Sequence, residues 1–317
     1  MGFEGFLGNE RLKENLRSSI KRGRISHFYL ISGPSGSGKR TLARLLAGAI
    51  LCKGEEKPCG SCAACRKVFG SGHPDFITID DPEKKVVPVD LIRQARGDIY
   101  IRPNEADRKI YLFPRAQDME VPGQNALLKV LEEPPAYGVF ILLTDNPQKL
   151  LPTVRSRCTE LALSALSGEQ VREVLERKFP QATKEAVEAA VYRSGGFLGQ
   201  AEAILETGSH LSEQTAAFLK AYASRNAYAL VQVLIPMEKW KREQLVPLLQ
   251  QWISFLEEAL MYREARTVST PMAQEIGASR SGVELSLAIG HLQKMVEYAQ
   301  NNVSPAAICG YLEWTLR

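Results

Sequence analysis

Seven consecutive residues, Gly33-Pro34-Ser35-Gly36-Ser37-Gly38-Lys39, have the types and spacing of a loop that cradles phosphate. Glycines at 33, 36 and 38 let backbone N–H groups converge on anion oxygens without Cβ clashes. A helix beginning at the loop would add the favourable end of its dipole. Lys39 would supply a mobile charge for the outer phosphates. The pattern G-x-x-x-x-G-K has this meaning only between a strand and a helix. Phe28-Tyr29-Leu30-Ile31 reads as a buried strand, and Thr41 to Leu51, rich in Ala and Leu, as a helix. A glycine-rich turn without a ligand fits that context poorly. The predicted binding set is Gly33, Pro34, Ser35, Gly36, Ser37, Gly38, Lys39, Arg40 and Thr41, with ATP or ADP as the expected occupant.

Two departures weaken the hydrolytic half of this machinery. A magnesium site wants Ser or Thr directly after the lysine. Arg40 stands there, and Thr41 comes one residue later, turned by about 100° on a helix. The strand Lys109-Ile110-Tyr111-Leu112-Phe113 is followed by Pro114-Arg115, where P-loop ATPases usually place acidic residues. Asp80, Asp81 and Asp118 lie near strand ends, and Glu132-Glu133 on a helix, but none is predicted to polarise water beside a γ-phosphate. ATPase activity of the chain's own is therefore expected to be absent.

Cys52, Cys59, Cys62 and Cys65 are separated by six, two and two residues. Thiolates on turns at this spacing suit a tetrahedral site, and soft sulfur in a reducing compartment points to structural Zn²⁺. An iron–sulfur cluster or free thiols are the alternatives. Cys158 and Cys309 lie elsewhere. His27 and His73 are isolated and are expected to be structural.

The elements that must position these groups alternate. Helices are predicted at 9–22, 41–51, 89–98 and 122–133, and strands at 28–31, 75–79, 109–113 and 139–143. That order implies a parallel sheet covered on both faces. After Leu163 the pattern turns helical, with helices over 167–178, 183–193 and roughly 198–206. Thr207-Gly208-Ser209 reads as a linker into a further helical region, in which Pro236, Pro247 and Pro305 mark starts or interruptions. The expected fold is α/β, with a nucleotide-binding-type domain over 1–162 and a zinc module at 52–65. A small helical domain follows at 163–206, then an all-α domain at 207–317.

With 317 residues the chain has room for two or three cores. Its net charge of +4 excludes a polycation. Residues 1–50 nevertheless hold nine basic side chains (Arg11, Lys13, Arg17, Lys21, Arg22, Arg24, Lys39, Arg40, Arg44) against Glu4, Glu10 and Glu14, an excess of six. Such a face suits phosphate or nucleic acid, or is simply solvated. No secretory leader, membrane span or myristoylation motif is predicted, and a cytoplasmic location is expected. A zinc-dependent nucleic-acid binder is a weaker reading, since only Lys53, Lys57, Arg66 and Lys67 flank the cysteines.

From about residue 3 to 205 the chain resembles the clamp-loader subunits of bacterial DNA polymerase III, a branch of the AAA+ family. Three features carry the resemblance: the four-cysteine module just after the phosphate-loop helix; the segment Asn125-Ala126-Leu127-Leu128-Lys129-Val130-Leu131-Glu132-Glu133-Pro134-Pro135; and Ser156-Arg157-Cys158. The resemblance implies an AAA+ P-loop domain, a helical lid and a helical collar. It implies a hetero-oligomeric ring with gamma/tau-type and delta-type subunits that loads a sliding clamp on primed DNA, with no membrane involvement. It also implies that Arg157 acts as an arginine finger toward a neighbour's ATP. Pro114-Arg115, and Gln200 where the lid often carries arginine, favour a non-hydrolysing ring member. An active gamma/tau-type motor is the alternative. Trp240, Trp252 and Trp314 are expected to serve packing or subunit contact.

Overall fold

The computed structural model describes residues 2–70, 72–208, 212–265, 270–300 and 303–316. The first half alternates as expected: α1 (Glu10–Lys21), β1 (Phe28–Ser32), α2 (Lys39–Leu51), α3 (Ala63–Phe69), β2 (Phe76–Thr78), α4 (Val89–Asp98), β3 (Lys109–Phe113), α5 (Val121–Glu132), β4 (Gly138–Thr144), α6 (Pro152–Arg155) and β5 (Thr159–Ala162). Helices follow: α7 (Gly168–Lys178), α8 (Lys184–Arg193), α9 (Leu198–Gly208), α10 (Glu213–Ala223), α11 (Ala227–Met237), α12 (Arg242–Ala265), α13 (Pro271–Ser279), α14 (Gly282–Gln300) and α15 (Pro305–Thr315). The predicted linker is helical through Gly208, and Ser209 lies outside the described residues. Pro247 does not stop α12, which runs through it for 24 residues.

The five strands form one parallel sheet in the order β2-β3-β4-β1-β5. This is a mixed α/β fold built on a five-stranded parallel sheet. β1 lies between β4 and β5, with Ser32 level with Thr144 and Ala162. The sequence reading missed β5, whose edge residues Thr159, Glu160 and Ala162 are exposed and lack a buried apolar run. It also missed α3, whose seven residues sit among the cysteines.

β1, β3 and β4 are buried along their whole lengths, as expected for strands covered on both faces. Period-2 alternation divides their side chains. Tyr29, Ile31, Ile110, Leu112, Ile141 and Leu143 pack with Leu42 and Leu46 of α2 and Leu16 and Ile20 of α1. Phe28, Leu30, Tyr111, Phe113, Phe140 and Leu142 pack with Ile92 of α4 and Leu127 of α5 on the other face. Phe28 and Phe140 stack there with ring centroids 4.6 Å apart.

The chain divides into two compact units. The first holds residues 1–170 together with Phe197–Gln200; the second holds Val171–Gly196 and 201–317. In the second, α10–α15 share a hydrophobic core centred on Trp252, which is fully buried and stacks on Phe218 at 3.7 Å. Trp240 is partly buried against that core, and Trp314 is 79% exposed. No helix among the described residues is long and apolar enough to cross a membrane.

Candidate functional site

The glycine-rich loop leaves β1 at the sheet's carboxyl edge, between β4 and the edge strand β5. Gly33 N donates to Thr144 O (3.1 Å), and Leu163 N to Ser32 O (2.8 Å), so both neighbouring strands fix its root. Gly36 (φ +74°) and Gly38 (φ +90°) adopt left-handed backbone that disfavours other residues. Gly38 is the N-cap of α2 and supplies no capping side chain, so the first N–H groups of the helix stay available to an anion. Phe6 closes on the loop from the N-terminal segment; a Cβ at Gly38 would lie 2.9 Å from its ring. Buried Lys13 holds that segment by donating to Phe6 O (2.7 Å).

Lys39 is turned onto its own loop, its Nζ donating to Gly33 O (2.5 Å) and Pro34 O (2.7 Å). Burial lowers its pKa, the nearby Asp145 carboxylate opposes that shift and Arg40 adds to it. Arg40 and Thr41 are both exposed. Gln200 Nε2 donates to Ser35 O (2.8 Å), which brings the start of α9 onto the loop.

Arg115 occupies the end of β3 and is engaged on every side. It pairs with Asp80 Oδ1 (2.6 Å) and Asp118 Oδ2 (3.6 Å), and donates to the carbonyl oxygens of Asp81 (2.9 Å), Lys84 (3.1 Å) and Lys85 (3.3 Å). Two of the acids weighed as substitutes for the missing pair, Asp80 and Asp118, are thus counter-ions of this guanidinium. Burial raises the Asp118 pKa, with Arg115 pulling against it.

The sequence reading overlooked Asp145. It follows β4 directly, and the pairing of Ser32 with Thr144 places it at the mouth of the loop, where its charge reaches both Lys39 and Asp118. Sheet order was the missing information: β4 had to be recognised as the neighbour of β1.

The four cysteines converge. Their sulfurs all lie within 4.8 Å of one another, with Cys59–Cys65 and Cys52–Cys62 each at 3.9 Å. A tetrahedron with metal–sulfur bonds of about 2.3 Å has edges of about 3.8 Å. Backbone N–H groups of Gly54 and Cys59 point at Cys52 Sγ, that of Cys62 at Cys59 Sγ, and that of Cys65 at Cys62 Sγ. Such donors favour thiolates: the Cys62 amide, followed by the Ser61 hydroxyl and amide, lowers the Cys59 pKa to about 5, while burial raises those of Cys52 and Cys65. This donor set fits a divalent metal. The module adjoins the far end of α2: Cys52 follows Leu51, Cys65 Sγ points to Gly48 O (3.8 Å), and the Phe69 ring lies against Gly48.

Arg157 lies in the turn between α6 and β5. Nη1 donates to Thr153 O (2.9 Å) and Nη2 pairs with Glu132 Oε1 (3.2 Å), with the arginine side chain 39% exposed. Arg155 is half-buried and donates to Gln148 Oε1 (2.9 Å). Both histidines are held by backbone: His27 Nδ1 lies 2.8 Å from Gly138 O, and His73 Nδ1 accepts from Asp75 N (3.1 Å).

Together these features define an α/β unit with a glycine-rich loop after β1 and a paired arginine just past β3, joined to a cysteine cluster and followed by a helical unit. The family profile described as DNA polymerase III, delta subunit, matches residues 8–167, and the chain belongs to that family. It is 29% identical over 301 residues to the DNA polymerase III subunit delta' of Pseudomonas aeruginosa, covering 93% of this chain and 85% of that protein. It is 30% identical over 251 residues to the gamma subunit of Buchnera aphidicola, covering 75% of this chain and 69% of that one. The tau subunit of Escherichia coli is 38% identical over 176 residues, which cover 55% of this chain and only 27% of that longer protein. Among solved structures, a gamma subunit-related protein from Thermotoga maritima matches with a TM-score of 0.46 and 19% identity, over 96% of this chain and 99% of that one.

Proposed function

We propose that this chain is a delta-prime-like subunit of a DNA polymerase III clamp loader that does not hydrolyse ATP at its own loop and serves as a stator for a neighbouring ATPase. The observation that carries this reading is Arg115. A guanidinium paired to Asp80 and Asp118 stands where a magnesium-binding carboxylate would be needed. The likeness to a delta' subunit over 93% of the chain supports the assignment.

In this reading Arg157 is the catalytic group, acting in trans. Arginine fingers stabilise charge on the transferring phosphoryl group and accelerate well-studied GTPases by about 10³–10⁵. To act, Arg157 exchanges the exposed Glu132 carboxylate for a neighbour's phosphate, a cheap exchange because surface ion pairs contribute only ~0–1 kcal/mol. Gly33 to Thr41 hold ATP or ADP without turnover. Cys52, Cys59, Cys62 and Cys65 hold a structural Zn²⁺, whose four thiolates leave no open position for chemistry. The partners are gamma/tau-type and delta-type subunits, with the sliding clamp and primed DNA engaged through the complex. Residues 163–206 form the lid and 207–317 the collar.

The test is reconstitution with a gamma/tau-type and a delta-type subunit. Arg157→Ala is expected to leave assembly intact and to cut clamp- and DNA-stimulated ATPase by at least tenfold. Undiminished ATPase in the assembled variant overturns the assignment. An active motor is the competing reading, because Asp145 lies within electrostatic reach of Lys39. ATP turnover by the isolated chain, lost on Asp145→Asn, would establish it.

A further inference from the structure

Four residues of the helical half belong structurally to the other unit. Phe197–Gln200 group with the P-loop unit, while the chain on either side, Val171–Gly196 and residues from Ala201 onward, groups with the second unit. The hold is made by two donors on two consecutive loop carbonyls. Gly199 N donates to Gly36 O (2.9 Å), and Gln200 Nε2 to Ser35 O (2.8 Å). Neither glycine tolerates a side chain at the crossing. A Cβ on Gly36 would sit 2.5 Å from Gln200 N, and one on Gly199 would sit 2.8 Å from Gly36 Cα.

We propose that Phe197–Gln200 is a nucleotide-independent latch, which keeps the start of α9 docked on the phosphate loop whether the loop is filled or empty.

Latch and ligand use different ends of the loop's peptide groups. In a trans peptide the C=O and the following N–H point in opposite directions. The latch takes the oxygens of the Ser35–Gly36 and Gly36–Ser37 peptides. A phosphate would take their N–H groups, as in any loop that gathers amides around an anion. Latch and anion therefore address opposite ends of the same groups and do not compete. Hydrogen bonding at the oxygen polarises the amide, so the two are mildly cooperative at most. Gln200 suits this task because its amide is neutral. A cation at position 200 would be drawn from the carbonyl toward any phosphate that entered, and its contact would then depend on the ligand.

The proposal goes beyond the stator reading and concerns the isolated full-length chain, so it can fail while ring assembly and Arg157 function survive, and the reverse. Hydrogen exchange at Gly199 is the readout. In nucleotide-free protein, Gln200→Ala is expected to speed exchange at Gly199 about fivefold, the size expected for one lost hydrogen bond, with circular dichroism confirming that the helices persist. In the wild type, saturating ATP or ADP with magnesium is expected to leave that rate within twofold. Gln200→Arg is expected to make it change with nucleotide. A wild-type rate that shifts fivefold or more on adding nucleotide overturns the proposal, and so does a Gln200→Ala rate equal to wild type.

Discussion

At the scale of single residues, the lack of an acid and the presence of a base have different consequences. Proline or alanine at position 115 would merely offer no carboxylate. Arginine supplies donors to two carboxylates and three carbonyls, and so knits the segment from Asp80 to Lys85 to the end of β3. Arg115→Ala is expected to lower stability by about 1–3 kcal/mol in denaturant titration, since half-buried carboxylates lose a charged partner. Wild-type stability in that variant would show that the interactions contribute nothing net. The departure itself was legible in the sequence. Its partners were not, because Asp80 lies 35 positions earlier and no local pattern joins the two.

Among elements, α2 and the cysteine module behave as one piece. The helix runs directly into Cys52, and Phe69 fills the space above Gly48, where a Cβ would lie 2.6 Å from the ring. Stripping metal with a strong chelator, or Cys62→Ser, is expected to raise hydrogen exchange across residues 52–70 while the β-strands keep their protection. Exchange unchanged by chelation, with no zinc in the purified protein, would remove the metal. The cysteine spacing announced this site plainly; the weld to α2 through Gly48 and Phe69 has no sequence signature. At the start of α14, Glu284 accepts from Ser281 N (2.8 Å) and Ser281 Oγ (2.8 Å) and pairs with Arg225 (3.0 Å). Those bonds, led by the Ser281 amide, depress its pKa from 4.5 to about 2. A folded-state pKa below the unfolded one means stability that is fully present above about pH 4.5. It is lost as pH falls toward 2. Glu284→Gln is therefore expected to flatten the acid limb of the melting temperature between these values; an identical limb in the variant would count against the cap.

For the whole molecule, two separately cored units follow from the contact pattern. Among the described residues, Trp252 and Phe218 stack inside the helical core and belong to a different hydrophobic cluster from the sheet residues. Trp252→Ala is expected to cost the helical unit about 3–5 kcal/mol, with exchange protection in β1, β3 and β4 retained. Simultaneous loss of both would mean that the units unfold as one. Much of this architecture could be read from the sequence, since long apolar strands and periodic helices signal themselves through local composition. β3 was located to the residue. What escaped were features set by distant neighbours: the edge strand β5, whose pairing rather than composition makes it a strand, and Asp145, whose importance depends on β4 lying beside β1.

The position of Arg115 also bears on what can replace it. Placing a carboxylate there would not simply supply an acid. It would set a third negative charge beside Asp80 and Asp118 and release three carbonyls at once. A carboxylate at position 115 is therefore expected to cost folding stability, so in this protein the charge at that point and the cohesion of the Asp80 to Lys85 segment with the end of β3 cannot be changed independently.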